Sequence, residues 1–242
     1  MALHFVVPDC TGAAVGDVVR LTGSEAKHAS VVRRVRVGES VTIGDGRGVW
    51  LEGAAEDVTA SQVSVRITGR REQGQPETRI VLVQALAKGD RDELAVQAAC
   101  ELGVDEIVPW QASRSVSRWE GPKAAKGRER WSTIVREAAK QAHRAWVPEV
   151  APVESTAQLA ERAAHARLLV LDPWTETPLT SIRADGRDLV LVVGPEGGIA
   201  PDELDRLEAA GAERVRLGDT VLRTSTAGPA AIAVLSATLG RW

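Results

Sequence analysis

The chain has 242 residues, 44% apolar and 26% charged, with a formal net charge of -3. That is the composition of one large or two ordinary globular domains. It excludes a disordered polymer, and its slight acidity excludes indiscriminate nucleic-acid binding. No run of about 18 uncharged apolar residues occurs, and the opening "MALHFVVPDC" lacks the basic and long apolar regions of a secretion signal. A cytoplasmic protein with no membrane partner is expected. Cys10 and Cys100 have no short-range partner, and His4, His28, His143 and His165 are scattered without ligand spacing, so neither a disulfide framework nor a metal is expected. With seven Trp, one Phe and no Tyr, stacking contacts fall mainly to tryptophan.

Residues 1–70 read as short strands with one helix: "HFVV", "VVRL", a helix over 24–33, then "SVTIGDGRGVWLEGAAEDV" and "QVSVRIT". Asp45-Gly46 between two apolar runs is a hairpin signal, because glycine accepts the positive φ of tight turns. The pattern suggests a small β-barrel. The polar, aperiodic stretch "GRREQGQPET" at 69–78 marks a boundary, which places one domain at 1–72 and a second at 73–242.

From Arg79 strands and helices alternate. "RIVLVQAL" precedes a helix over 90–102 closed by Gly103. "EIVPW" leads to a long basic helix over 123–145 and a helix over 155–164. "ARLLVLD" and "DLVLVVG" precede a helix over 201–210 closed by Gly211, then "ERVRLG" and a last helix over 225–239. Continuous apolar strands are what burial on both faces of a parallel sheet demands, so the fold class is α/β with a mostly parallel sheet. Residues 112–147 carry nine Lys and Arg against three Glu, a local net charge of +6 on an acidic chain.

Two segments could carry chemistry. Gly194-Pro195-Glu196-Gly197-Gly198 follows a buried strand at its carboxyl end, where open α/β sheets place ligands. Glycines allow close backbone approach and the proline stiffens the loop, while Pro201, Asp202 and Glu203 open the next helix. The segment matches neither G-x-G-x-x-G nor a Walker loop, and its acidic helix start opposes a phosphate. A plain strand-to-helix turn and a ligand loop remain the two readings. The second segment is "LGDTVLRTSTAGPAAIAVL" at 217–235, where Ser225 or Thr226 is expected to cap the helix and Arg223 reads either as a surface ion pair or as a functional cation.

"LVVGPEGGIAPDEL" and "VRLGDTVLRTSTAGPAAIAVL" resemble the last two signature segments of the RsmE family, ribosomal RNA small-subunit methyltransferase E of the SPOUT superfamily. "EAKHASVVRRVRVGESVTIGDGRG" is similar to that family's N-terminal PUA-like barrel, and "VQALAKGDRDELAVQAACELGVDEIVPWQASRSV" to its first catalytic segment. Lys140-Gln141-Ala142-His143-Arg144 stands where the family usually carries an E-Q-S/C-G-R-like string, and Ala98 or Ala99 where many members carry Lys. These departures are expected to bear on RNA contacts more than on the cofactor loops.

The resemblance implies a C-terminal domain tied in a deep trefoil knot, with a PUA-like β-barrel before it. It also implies S-adenosyl-L-methionine as methyl donor to N3 of a uridine in the decoding region of 16S ribosomal RNA. The implied cofactor pocket comprises Leu171, Val193, Gly194, Glu196, Gly197, Gly198, Leu217, Gly218, Leu222, Arg223 and Thr224. Arg223 would stabilise developing oxyanion charge, and Glu196 would either take the N3 proton or brace its loop. RNA contacts are expected from His28, Arg33, Arg34 and Arg36 of the first domain and from Arg114, Arg118, Arg130, Arg136, Lys140 and Arg144 of the basic segment. The partners expected are 16S ribosomal RNA within the assembled small ribosomal subunit, and a second copy of the chain in a homodimer. Trp242 and the small-residue helix supply interface surface, with a buried core helix as the alternative. Another RNA target for the same chemistry, or a catalytically silent assembly factor, are the competing functions.

Overall fold

A computed structural model describes residues 2–242. They form two units: the chain up to Gln75 with Ala139–Val147, and Pro76–Ala138 with Pro148–Trp242.

In the first unit, strands β1 (Leu3–Val6), β2 (Val18–Leu21), β3 (Ser40–Gly44), β4 (Val49–Val58) and β5 (Val63–Glu72) form one sheet in the order β1-β3-β4-β5-β2. All neighbours are antiparallel except β1, which runs parallel to β3. The sheet is curled, with β1 and β2 as edges, a half-barrel consistent with the small β-barrel expected. Register shifts in β4 at Glu52/Gly53 and Ala55/Asp57 are bulges of the kind that bend a strand and increase its twist. Phe5, Leu21, Ile43, Leu51, Val63 and Ile67 fill its concave face. The Asp45-Gly46 hairpin forms as expected, with Asp45 Oδ1 accepting from the amides of Arg47 at 2.7 Å and Val49 at 3.2 Å. The helix expected over 24–33 is split: α1 (Gly23–Lys27) passes into a π-helical turn, His28–Val32.

Lys140 belongs to this unit, and its environment corrects the expectation of an RNA contact. Its ammonium group is buried and donates to Glu25 Oε1 at 2.9 Å. An ion pair shut away from solvent cannot release counterions from a phosphate backbone, which is the source of electrostatic RNA affinity. His143, three residues on, has φ 54, the left-handed region that glycine enters freely and other residues enter at about 1–2 kcal/mol. His4 lies stacked on Trp50, ring centroids 4.2 Å apart, and burial together with the charges of His143 and Lys140 pulls its pKa down to about 3.

The second unit has six strands: β6 (Ile80–Ala85), β7 (Glu106–Trp110), β8 (Glu149–Val150), β9 (Ala166–Leu171), β10 (Asp188–Val193) and β11 (Glu213–Val215). They are ordered β11-β9-β10-β6-β7-β8 and all run parallel. β6 is buried along its whole length and β10 from Leu189 on, as their unbroken apolar sequences require. The connecting helices are α2 (Arg91–Glu101), α3 (Pro122–Gln141), α4 (Thr156–Arg162), α5 (Pro201–Ala209) and α6 (Thr224–Thr238). The basic helix therefore ends four residues earlier than expected. In α6, Gly228, Ala231, Ile232 and Leu235 are buried, and a Cβ on Gly228 would stand 2.9 Å from Leu82 Cδ1 on β6. Small residues there let the helix lie close on the sheet, so one face of it is core.

Glu203, in the first turn of α5, holds the elements around the glycine-rich loop. Its carboxylate accepts from the Ser113 amide at 3.0 Å, the Ser113 hydroxyl at 2.8 Å and the Thr156 hydroxyl at 2.6 Å. Burial opposes the charge, yet the bonds from Thr156, Ser113 and the Ala200 amide outweigh it and hold the pKa below its ordinary 4.5. A depressed carboxylate pKa contributes stability that is present above the unfolded value and lost as pH falls through the folded one. Glu203→Gln should therefore lower unfolding free energy at neutral pH by about 1.5–3 kcal/mol. In urea titrations, that difference from wild type should shrink as the pH is taken below 4.5; a gap that is independent of pH would show that the carboxylate charge is not what stabilises the turn.

Candidate active site

The carboxyl ends of β9, β10 and β11 lie side by side because the strands are parallel and in register, Val192 opposite Val170 and Val215 opposite Leu171. The loops leaving them surround a cavity of about 700 Å³, a size suited to one drug-sized ligand. Its wall takes Leu171 from the end of β9, Val193 and Gly194 from the end of β10, and Leu217 and Gly218 from beyond β11. Glu196, Gly197, Gly198, Leu222, Arg223 and Thr224 also border it, so all eleven residues expected at the cofactor face one space.

The glycine-rich loop turns at once. Pro195 is buried, and its carbonyl accepts from the Gly198 amide at 2.9 Å. Gly194 is the position where no side chain fits, since a Cβ would stand 2.6 Å from Ile199 Cγ1. Gly218 differs: a Cβ there would meet nothing within 4 Å, so the bare backbone leaves open space along the cavity wall. Leu171, Val193, Leu217 and Leu222 supply apolar surface, and the backbone of both loops supplies polar edges. This donor set suits a compact, partly apolar nucleoside better than a polyphosphate.

One hydrogen-bonded chain joins the two loops. The Thr224 hydroxyl donates to the Gly194 carbonyl at 3.0 Å and accepts from Gln84 Nε2 at 2.9 Å, with Gln84 wholly buried at the end of β6. This corrects the expected cap: α6 begins at Thr224, with Arg223 at the N-cap and no side-chain cap bond. The helix starts one to two residues before Ser225 and Thr226, and the hydroxyl nearest its end is committed to Gly194.

Glu196 accepts from Arg91 Nη1 at 3.0 Å and from the Lys88 amide at 3.2 Å. Burial raises its pKa, but its backbone, the Lys88 amide and Arg91 more than offset this and hold it below the ordinary 4.5. A carboxylate so occupied is a weak proton acceptor and an effective brace. Arg223 is exposed on the cavity rim and makes no ion pair among the described residues.

The cavity also gathers residues that the sequence had not placed there, among them Arg114, expected only as an RNA contact. Asp172 just after β9 is gripped by Arg214 of β11, whose Nε donates to Oδ2 at 2.6 Å, and both border the cavity with Arg91, Arg114 and Trp174. Arg114 Nη1 donates to the Gly197 carbonyl at 3.1 Å. Only a position at a strand's carboxyl end could have singled out Asp172.

The residues expected at RNA fall apart by unit. Arg33, Arg34 and Arg36 are exposed after the π-helical turn, with His28 half-buried against Phe5. Arg114, Arg118, Arg130 and Arg136 are exposed in the second unit, Arg130 paired with Glu93 at 2.6 Å, while Arg144, in the first unit, is half-buried. Among the described residues no group of His, Cys, Asp and Glu converges as a metal site, and no helix is long and apolar enough to cross a membrane.

Residues 74–236 match the model of an RNA methyltransferase domain. Over 242 aligned residues the chain is 43% identical to ribosomal RNA small subunit methyltransferase E of Mycobacterium bovis, covering 98% of this chain and 90% of that one. The enzyme of the same name from Bacillus subtilis is 32% identical, with 89% and 88% covered. The crystal structure of ribosomal RNA small subunit methyltransferase E from Neisseria gonorrhoeae bound to S-adenosyl methionine superposes with a TM-score of 0.88 at 30% identity, over 98% of both chains. With near-full-length relatives and a domain model that spans the sheet and both cavity loops, the chain belongs to the ribosomal RNA small subunit methyltransferase E family.

Proposed function

We propose that this protein transfers the methyl group of S-adenosyl-L-methionine to N3 of a uridine in the decoding region of 16S ribosomal RNA. The observation that carries the reading is the convergence of both loops on one cavity with an unpaired arginine, Arg223, on its rim. The apolar walls and glycine backbones of the cavity fit the cofactor, which supplies an electrophilic methyl group when bound. Leu171, Val193, Leu217 and Leu222 would hold its apolar surface, and the backbone at Gly194, Gly197 and Gly218 its polar edges. The residues' own work is orientation of the two reactants and stabilisation of charge on the uridine. Arg223 carries the second task. Glu196, tied to Arg91 and Lys88, braces the loop.

Uridine N3 lies on the pairing edge, so the target base must be unpaired or splayed out to be reached. In the first unit Arg33, Arg34, Arg36 and His28 serve as phosphate and base contacts of a PUA-like domain spanning residues 1–72. From the second domain, proposed at 73–242, Arg114, Arg118, Arg130 and Arg136 contribute, and Arg144, which packs within the first unit, extends the set. The family resemblance further assigns a trefoil knot to the loops around 194–200 and 217–223, a homodimer, and a cytoplasmic setting. Trp242, 66% exposed, is surface for the second copy.

The reading is tested by methylating purified small subunits from a strain lacking the enzyme and identifying the nucleoside by mass spectrometry. 3-Methyluridine is the expected product, and a 2′-O-methyl nucleoside or no product overturns the assignment. In the same assay Arg223→Ala should lower turnover about 100- to 1,000-fold while changing cofactor affinity only a few fold; surviving turnover would make Arg223 structural. Reversing the charge of Arg33 and Arg36 together should weaken RNA binding and flatten its salt dependence, and unchanged binding would remove the first unit from RNA recognition. Sedimentation should show a dimer, and an active monomer would refute it.

A further inference from the structure

The cavity rim carries more positive charge than the cofactor calls for. Arg214, Arg91 and Arg216 are matched by Asp172, Glu196 and the exposed Asp219, the last pair at 2.8 Å, which leaves Arg114 and Arg223 as the excess. S-adenosylmethionine is itself a sulfonium cation, so this excess is complementary to a polyanion.

Beside these arginines stands Trp174, 82% exposed and bordering the cavity. Most of the chain's tryptophans are occupied. Trp50 stacks on His4, Trp119 meets Trp131 edge-on, and Trp110 and Trp146 donate to Thr156 and to the Gln73 carbonyl. Trp174 has no ring partner among the described residues. Yet it is not on a loose segment. Pro173 restricts the backbone before it, the Trp174 amide donates to Asp172 Oδ1 at 3.0 Å, and Asp172 is gripped by Arg214. The far end of the loop is pinned where Arg216 donates to the Thr177 carbonyl at 2.9 Å and accepts from the Leu179 amide at 2.8 Å. A rigidly carried indole exposed among unmatched arginines is the pairing that unpaired nucleic acid uses: base stacking on an aromatic face and cations for the backbone.

We infer that Trp174 is a stacking subsite for an unpaired nucleobase of the RNA substrate beside the methylation site. This assignment rests on the RNA methyltransferase reading above. The indole supplies a flat, sequence-tolerant platform that holds the splayed strand, and Arg223 lies where its phosphates and the target base pass. Exposure of Trp174 means that its replacement removes no core packing.

The test compares Trp174→Ala and Trp174→Phe with wild type. Binding of a fluorescently labelled, uridine-rich single-stranded RNA is read by anisotropy in the presence of S-adenosylhomocysteine, beside cofactor affinity by calorimetry and mass by sedimentation. Trp174→Ala should weaken RNA binding about 5- to 150-fold, with Trp174→Phe within about fivefold of wild type, and cofactor affinity and oligomeric state unchanged. RNA binding by Trp174→Ala equal to wild type overturns the proposal. A parallel fall in cofactor affinity assigns the indole to the cofactor, and a change in mass assigns it to an interface between copies; either result also overturns it. Wild-type protein that binds RNA through Trp174 without methylating small subunits would refute the proposed reaction and leave the subsite standing.

Discussion

A single hydroxyl group connects the parts on which the site depends. Thr224 Oγ1 is bonded at once to the Gly194 carbonyl, just after β10, and to Gln84, the last residue but one of β6, while Thr224 itself starts α6. The bond is possible because β6 and β10 are adjacent and parallel, with Val193 directly opposite Gln84. Their carboxyl ends therefore arrive at the same height, and the helix that follows the second loop is brought back onto them. The absence of a side chain at Gly228 lets that helix come close enough for the hydroxyl to reach. Two loops separated by about twenty residues of sequence are thus held as opposite walls of one cavity.

Charge around the cavity is divided by burial and pairing. Glu203 and Glu196 are both acids at the glycine-rich loop, and hydrogen bonds keep each ionised against the opposing effect of burial. Their negative charge is consumed in holding Ser113, Thr156, Lys88 and Arg91 in place. Asp172 is likewise consumed by Arg214. What faces the cavity without a matching acid is positive, although the whole chain carries -3. Net charge describes the molecule as a whole, and the local field is set by a few arginines.

The same distinction explains Lys140. By composition it is one of nine cations in a basic segment, indistinguishable from Arg136 or Arg144. In the fold its neighbour is Glu25, 115 residues away in the chain, and the pair is sealed from water. Removing either partner would leave a buried charge without compensation, so the pair is a fixed point within the first unit.

Periodicity and turn chemistry by themselves determined much here: a β region of short strands, the alternating β/α region with buried parallel strands, the Asp45-Gly46 hairpin and a stiff loop at 194–198 at a strand's carboxyl end. These are local properties, legible because a strand buried on both faces must be apolar throughout and a tight loop must contain glycine and proline. Resemblance to a known family supplied eleven of the residues that border the cavity, a set that spacing alone would not have assembled. The tertiary structure alone decided which polar groups are free. The cap at Arg223 rather than Ser225 or Thr226, the engagement of Glu196 and Lys140, the grip of Arg214 on Asp172 and the exposure of Trp174 all depend on partners far away in sequence. A side chain's chemistry is written at its own position, but whether that chemistry is spent inside the fold or offered to a ligand is set by neighbours that only packing brings within reach.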